Sequence, residues 1–192
     1  MLDTTPDNPP HTGLVGMILF LAALAMLFIS GLLGYVLIRT TGRFAPPRGT
    51  LQIPALLWGS TVVILISSVT VQHALVCVRR EKKSHFRLSL SATLALALLF
   101  IALQIPALRE LLAQHEQFRA RNINIYGMII FLIALHAAHV LGGLIPLLLI
   151  WTQALRGRYD HEQHAPVRYL SLYWHFLDIV WVVMFATFLV LD

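Results

Sequence analysis

Two polar side chains near the carboxyl-terminal end of the sequence could do acid–base chemistry inside an apolar segment. In the stretch YWHFLDIVW, His175 and Asp178 are three residues apart, so a helix places them on one face. Such a pair could move a proton or bind a ligand. It could also be a buried polar contact that fixes how the helix packs, and this is the role we expect. Trp174 and Trp181, seven residues apart, follow an adjoining stripe of the same helix.

A second polar pair lies in the segment LHAAHVLGG, where His136 and His139 are also three residues apart. Paired histidines can bind a transition metal, but a third or fourth ligand is usually needed, and Asp178 is the only acid deep inside an apolar run. We therefore expect no metal here. Small residues recur every four positions on this helix and predict a seam where a neighbouring helix packs closely: Ala134, Ala138 and Gly142.

Histidines from two different helices can also hold a haem. A haem-bearing electron carrier therefore stays open as a function. Its ligands would come from four intramembrane histidines: His73, His136, His139 and His175. The connection YDHEQH could bind a metal as well, but a short polar stretch between helices is more often simply solvated, so we expect no site there. Its candidate ligands are Asp160, His161, Glu162 and His164.

The segments that carry these residues are long and apolar. Hydrophobic residues make up 58% of the chain and charged residues 12%, and the mean hydropathy is +0.76. Each of five apolar runs, free of charged residues except for Asp178 in the last, exceeds the roughly 20 residues that a helix needs to cross a bilayer. The sequence therefore predicts an all-α polytopic membrane protein, a compact bundle of five transmembrane helices joined by connections of about 10 to 18 residues, with an amino-terminal tail at 1–13 and a transmembrane domain at 14–192. The runs are Leu14–Ile38, Ile53–Val78, Leu88–Leu108, Ile125–Ile150 and Tyr169–Leu191.

The basic residues predict the orientation of the bundle. If the amino terminus is cytoplasmic, eight Lys and Arg lie on the cytoplasmic side and six on the other, which favours an N-in, C-out arrangement. The stretch RREKKSHFR suits the anionic cytoplasmic leaflet, and we expect it to contact lipid head groups, at about 1 kcal/mol for each basic group near the surface. The high isoelectric point thus indicates membrane topology rather than nucleic-acid binding. The basic residues of this stretch are Arg79, Arg80, Lys82, Lys83 and Arg87.

Several kinds of site are missing from the sequence. Cys77 is the only cysteine, which excludes an internal disulfide. There is no phosphate-binding loop, nucleophile triad or cysteine metal motif, so a mechanism of the usual soluble-enzyme kinds has no residues to carry it.

The carboxyl-terminal stretch resembles the last helix of subunit III of haem–copper terminal oxidases, in which a Tyr-Trp-His-Phe-x-Asp-x-x-Trp pattern recurs. The segment YGMIIFLIALHAAHVLGGL is similar to the penultimate helix of that family, and GMILFL to an earlier one. Five spans match its shorter bacterial members. The positions that carry the resemblance are Tyr173, Trp174, His175, Phe176, Asp178 and Trp181, then Tyr126, Gly127, His136, His139, Val140 and Gly143, then Gly16, Met17, Leu19 and Phe20, with Ser67, Ser68 and Gln104.

The resemblance implies a subunit that has no cofactor and no active site of its own. Haems and copper would sit in partner subunits, and this chain would pack beside catalytic subunit I, with subunit II in the same complex. It would bind phospholipid in a cleft and support assembly in a bacterial plasma membrane. The complex would reduce oxygen with electrons from cytochrome c or quinol. The resemblance also implies buried polar roles for the histidines, Asp178 and Gln104, and packing roles for the tryptophans and Gly143.

The sequence departs from the family pattern at two places. Ala23 and Leu24 stand where the family usually has Ser and a membrane-buried Glu, and Ala107 and Leu108 replace a Glu-Tyr pair. A role for that buried carboxylate cannot be transferred to this chain. Because of the missing Glu, the accessory subunit of a nitric oxide reductase, which resembles subunit III, stays open as an alternative beside the standalone haem carrier.

Overall fold

The structure is a computed structural model that describes residues 12–41, 54–119, 125–157 and 164–191. All five elements in these ranges are long α-helices, and each is apolar enough to cross a membrane. The prediction of an all-α bundle of five transmembrane helices is confirmed. The helices are α1 Thr12–Thr41, α2 Ala55–Arg79, α3 Lys83–Arg119, α4 Ile125–Leu155 and α5 Ala165–Leu191.

Each helix runs past at least one end of its predicted apolar run. The largest difference is in α3, which begins at Lys83 rather than Leu88 and ends at Arg119 rather than Leu108. At 1.5 Å per residue its 37 residues span about 55 Å, well beyond a hydrocarbon core of about 30 Å. Hydropathy marks where the chain leaves lipid. The helix continues because Leu, Ala, Glu, Gln and Arg favour helix in water too.

A tight turn joins α2 to α3, where a connection of about ten residues was predicted. Glu81 has a left-handed φ of 56°, its N–H donates to the Val78 carbonyl at 3.3 Å, and the Lys82 N–H donates to the Cys77 carbonyl at 3.0 Å. These two bonds close the end of α2 as a Schellman motif. The basic stretch is therefore partly helical: it caps α2, turns, and enters α3.

Four of the helices form the main body, and α1 lies at its edge. Around the body, α2 packs on α3, α3 on α4, α4 on α5, and α5 on α2. Within the described ranges, α1 contacts only α4 and α5, so it does not pack against its sequence neighbour α2. The predicted compact bundle is thus a four-helix body with one peripheral helix.

Two apolar clusters fill the body. One surrounds Trp181 and includes Phe28 and Tyr35 of α1, and the other surrounds Trp174. Arg39, near the end of α1, is buried, and its Nε donates to the Leu191 carbonyl at the end of α5. This bond fastens α1 to α5 at one end of the bundle. It also places one arginine inside the protein rather than in a loop.

Candidate functional site

A ladder of hydrogen bonds joins the antiparallel helices α2 and α5. The Trp174 Nε1–H donates to Ser67 Oγ at 2.8 Å, and the Trp181 Nε1–H donates to Thr61 Oγ1 at 2.9 Å. Both indoles are buried, so each needs an acceptor, and the hydroxyls of α2 supply one apiece. The predicted tryptophan stripe therefore faces α2 and sets the register of the two helices.

His175 extends the ladder toward the outside of the bundle. Its Nδ1 lies 2.7 Å from Ser68 Oγ, and its Nε2 lies 3.2 Å from Gln72 Oε1. Ser171 donates to the same Gln72 oxygen at 3.2 Å. His175 therefore takes its partners from α2, and 35% of its side chain remains exposed.

Asp178 is not hydrogen-bonded to His175, although sequence spacing suggested that pair. The closest approach, from His175 Nδ1 to Asp178 Oδ2, is 4.0 Å, and that nitrogen is occupied by Ser68. Asp178 is 4% exposed, and neither carboxylate oxygen has a hydrogen-bond partner in the described part of the chain. Histidines of α4, the other candidates, do not supply one. The structure thus brings His175 and Asp178 close together without making them partners.

His136 sits in an aromatic enclosure and is fully buried. Its ring centroid lies 5.0 Å from that of Trp181, 5.8 Å from Phe100 and 6.3 Å from Phe28. Neither ring nitrogen has a hydrogen-bond partner among the described residues. The three rings come from α1, α3 and α5, and His136 itself comes from α4. His136 therefore fills the interior of the bundle as an apolar aromatic side chain would.

His139 and Tyr173 connect α4 to α5 on the side that faces α1. The Tyr173 hydroxyl donates to the His139 carbonyl at 2.9 Å, and His139 Nδ1 lies 2.7 Å from the Leu135 carbonyl of its own helix. Beneath this contact, a Cβ added at Gly143 would lie 2.7 Å from Tyr173 Cε1 and 3.3 Å from Trp174 Cζ3. The absence of a side chain at Gly143 therefore allows a tight contact between α4 and α5 at this point.

Within the described ranges, the seam predicted on α4 does not pack against a neighbouring helix. Ala134, Ala138 and Gly142 are exposed, and a Cβ added at Gly142 would meet nothing within 4 Å. The repeat correctly identified a face of small residues, but helix rotation turns Gly143, not Gly142, toward a neighbour.

An apolar cleft opens between α1 and the pair formed by α4 and α5. It has a volume of about 710 Å³, within the range of 300 to 1,000 Å³ in which proteins hold small apolar ligands. Its walls come from the start of α1, the second half of α4 and the start of α5. Among the lining residues are Met17, Phe20, Gly142, Pro146, Tyr169 and Tyr173.

The remaining sequence-predicted polar residues lie apart from one another. His73 Nδ1 is 2.7 Å from Ser89 Oγ on the α2–α3 side, and the Gln104 amide donates to Ser60 Oγ at 3.3 Å. No group of three potential metal ligands occurs within the described ranges. Of the candidate loop ligands, Asp160, His161 and Glu162 lie outside those ranges.

The basic stretch lies mostly on the surface. Arg79, Arg80, Lys82 and Lys83 are exposed, whereas the Arg87 Nε donates to the Ala154 carbonyl in the last turn of α4 at 3.0 Å. A cation there also complements the negative end of the helix dipole. Four of the five predicted head-group residues are therefore free to face outward, and the fifth fastens α3 to α4.

Sequence reasoning missed the hydroxyl partners on α2. Thr61 was not singled out, and Ser67 and Ser68 were noticed only as a family feature. A signal was present, since the pairs Ser60–Thr61 and Ser67–Ser68 are seven residues apart, the same spacing as Trp174 and Trp181 on α5. Matching polar spacing on two apolar helices indicates an interhelical ladder.

Comparison with known proteins identifies the family of this chain. The sequence profile of the family described as "Cytochrome c oxidase subunit III" matches residues 10–191. The chain is a member of this family. The cytochrome c oxidase subunit 3 of Synechocystis is 29% identical over 182 residues, which cover 92% of this chain and 74% of the relative. The cytochrome bo(3) ubiquinol oxidase subunit 3 of Pseudomonas aeruginosa is 29% identical over 189 residues, covering 96% and 87%.

A third relative, the probable quinol oxidase subunit 3 of Staphylococcus saprophyticus, is 29% identical over 189 residues that cover 95% of this chain and 92% of the relative. The chain is thus a non-catalytic subunit III of a haem–copper oxidase, a multi-pass membrane protein that forms a complex with other oxidase subunits. The nitric oxide reductase subunit and the standalone haem carrier are not favoured.

Proposed function

We propose that this subunit supports assembly and stability of the catalytic subunit and holds a phospholipid in the cleft between α1 and the α4–α5 pair. The haems and copper belong to partner subunits, with subunit I as the catalytic one and subunit II in the same complex. This complex lies in a bacterial plasma membrane, where it reduces oxygen with electrons from cytochrome c or quinol. The observation that supports the lipid role is the cleft itself, because its walls are apolar and it lies in membrane-spanning helices.

The position of the basic stretch also favours a lipid. The cleft is walled by the start of α1, the end of α4 and the start of α5. In an antiparallel arrangement these ends lie on the same side of the membrane as the α2–α3 turn. Arg87 contacts Ala154, next to the cleft-lining Gln153. Acyl chains in the cleft would therefore leave the anionic head group near a cluster of basic residues.

Filling the cleft tests this proposal. Gly142 lines the cleft and has open space at its Cβ position, so Gly142→Phe should occupy the lipid volume without displacing a neighbouring helix. Ile145, exposed on the same helix and not among the cleft-lining residues, provides the control Ile145→Phe. We expect quantitative lipid mass spectrometry of the purified complex to show loss of tightly held phospholipid in Gly142→Phe alone. Equal phospholipid content in Gly142→Phe, Ile145→Phe and wild type would contradict the lipid role.

A further inference from the structure

Polar side chains lie on or just beneath the outer surface of α2 and α5 at the depth of the bilayer centre. Asp178 is at the middle of the 27-residue α5, and Ser68 is next to the middle of the 25-residue α2. Gln72 is exposed and about 6 Å farther along α2, and His175 is about 4.5 Å from Asp178 along α5. All four positions fall inside a hydrocarbon core of about 30 Å.

Lipid cannot satisfy groups of this kind. A polar side chain at this depth is costly unless it is covered by protein or bonded within its own helix. Exposed hydroxyls elsewhere on the bundle are bonded within their own helix: Ser30 donates to the Leu27 carbonyl and Thr152 to the Leu149 carbonyl. Gln72 is different, because its amide is long, exposed and bonded only across to α5.

The bonding pattern of this network leaves specific groups unused. If the Ser68 hydroxyl donates to His175 Nδ1, the His175 ring carries its proton on Nε2 and donates to Gln72 Oε1. Ser171 donates to the same oxygen. The Gln72 NH₂ group then has two donors without partners among the described residues, and the Asp178 carboxylate has no donor to accept from.

A groove of about 370 Å³ runs between α2 and α5 over these polar groups. It is lined by Leu65, Ser68, His175, Asp178 and the outward residues Val182 and Val183. The Asp178 carboxylate oxygens are buried beneath it, so the groove combines apolar walls with the exposed, unused amide of Gln72, which lies next to the lining residue His175. The cleft beside α1 has no such carboxylate, so the two surfaces suit different occupants.

We propose that this α2–α5 groove is the docking surface for one transmembrane helix of the haem-bearing subunit, and that this helix presents a hydrogen-bond acceptor to the Gln72 amide. The inference rests on the proposed function, which supplies the partner. An intramembrane helix satisfies its own backbone, brings apolar side chains for the walls, and can carry the complementary polar side chains that lipid lacks.

Site-specific photo-cross-linking in the assembled complex tests the surface directly. A photoreactive amino acid replaces Val182, which lines the groove, or Leu33, which is exposed on the outer side of α1. We expect cross-links to the haem-bearing subunit from position 182 and none from position 33. Cross-links from position 182 only to lipid or to a second copy of this chain, or cross-links to the haem-bearing subunit from position 33 alone, would overturn the assignment.

Co-purification on affinity-tagged subunit III separates this inference from the proposed function. Val182→Trp should lower the haem recovered per tagged chain at least about tenfold, because an overpacked helix contact loses more than 1.4 kcal/mol. Gln72→Leu should lower it less, and Leu33→Trp should leave it at the wild-type level. If the wild-type chain recovers no haem-bearing subunit, the proposed function fails. If wild type and Val182→Trp recover it equally, the proposed function stands and the groove assignment is wrong.

Discussion

Asp178 is a carboxylate at the centre of a membrane-spanning helix that has no hydrogen-bond partner within the described part of its own chain. A buried polar group in this state destabilises the folded chain by about 1 to 3 kcal/mol or more. His175 and Ser68 lie beside it but bond to each other. At the scale of single residues, the pattern favours a group kept for assembly rather than for folding of the isolated chain.

The first prediction concerns this residue. Asp178→Asn keeps the size of the side chain and its ability to hydrogen-bond, so we expect this variant to assemble at nearly normal stoichiometry with normal initial turnover. Asp178→Leu removes both and would leave any buried donor beside it unsatisfied, at about 1 to 3 kcal/mol, so we expect loss of subunit III from the complex. The core that remains should still consume oxygen initially.

Two measurements on the purified complexes check this prediction: the ratio of this subunit to the haem-bearing one, and initial oxygen consumption per haem. Full stoichiometry of Asp178→Asn with a tenfold or greater fall in initial turnover would show that the carboxylate takes part in proton or electron chemistry, and the structural role would then be wrong.

At the scale of elements, α4 and α5 are held by one close approach, while α2 and α5 are held by a ladder. Gly143 lies against Tyr173 and Trp174, and those two residues make the hydrogen bonds that fix α5 to α4 and α2. A side chain at position 143 therefore disturbs both contacts of α5 at once. Gly142, one residue earlier, faces open space.

These neighbours make a matched pair for the second prediction. In Gly143→Ala the new methyl group would lie 2.7 Å from the Tyr173 ring, so overpacking should destabilise the α4–α5 contact by about 1 to 3 kcal/mol. Gly142→Ala should not destabilise it, since alanine also favours the helix. We expect a lower midpoint temperature for the release of subunit III in the first variant only, measured by heating the purified complex and quantifying retained subunit. Equal midpoint temperatures for the two variants would contradict this prediction and would mean that α5 shifts away from the new methyl group without loss of stability.

At the scale of the whole molecule, five membrane-spanning helices put the start of α1 and the end of α5 on opposite sides of the membrane. The basic stretch between α2 and α3 lies on the side where α1 begins, and the eight-to-six excess of basic residues favours the cytoplasm for that side. Several of the counted residues, among them Arg43, Arg48, Arg121 and Arg158, lie outside the described ranges. The N-in, C-out orientation stays a prediction.

Chemical labelling in spheroplasts tests the orientation. Ser84 is exposed in the first turn of α3, so a cysteine placed there can react without breaking a contact. The background is a variant in which the buried Cys77 is replaced by alanine. We expect Ser84→Cys to resist an impermeant thiol reagent in intact spheroplasts and to react after permeabilisation. Labelling in intact spheroplasts would show that every helix crosses the membrane in the direction opposite to the predicted one.

Much of this molecule could be read from its sequence. Uncharged apolar runs determine five spans, because lipid excludes charge and forces an unpaired backbone into helix. Rare residues at fixed spacing, such as the Tyr-Trp-His-Phe-x-Asp stretch, indicated the family that the comparison then showed. Local spacing also placed His175 and Asp178 on one face, which the structure confirms to the extent of a 4.0 Å approach.

The contacts between helices were decided only by the tertiary structure. The partner of Trp181 is Thr61 and that of His175 is Ser68, each more than 100 residues away, and nothing local in the sequence specifies those pairs. Periodicity likewise shows that α4 has a face of small residues, but the rotation of the helix turned Gly143 inward and left Gly142 in the cleft. Helix rotation, helix neighbours and register depend on the packing of all five helices together, whereas each span depends only on its own residues and the solvent.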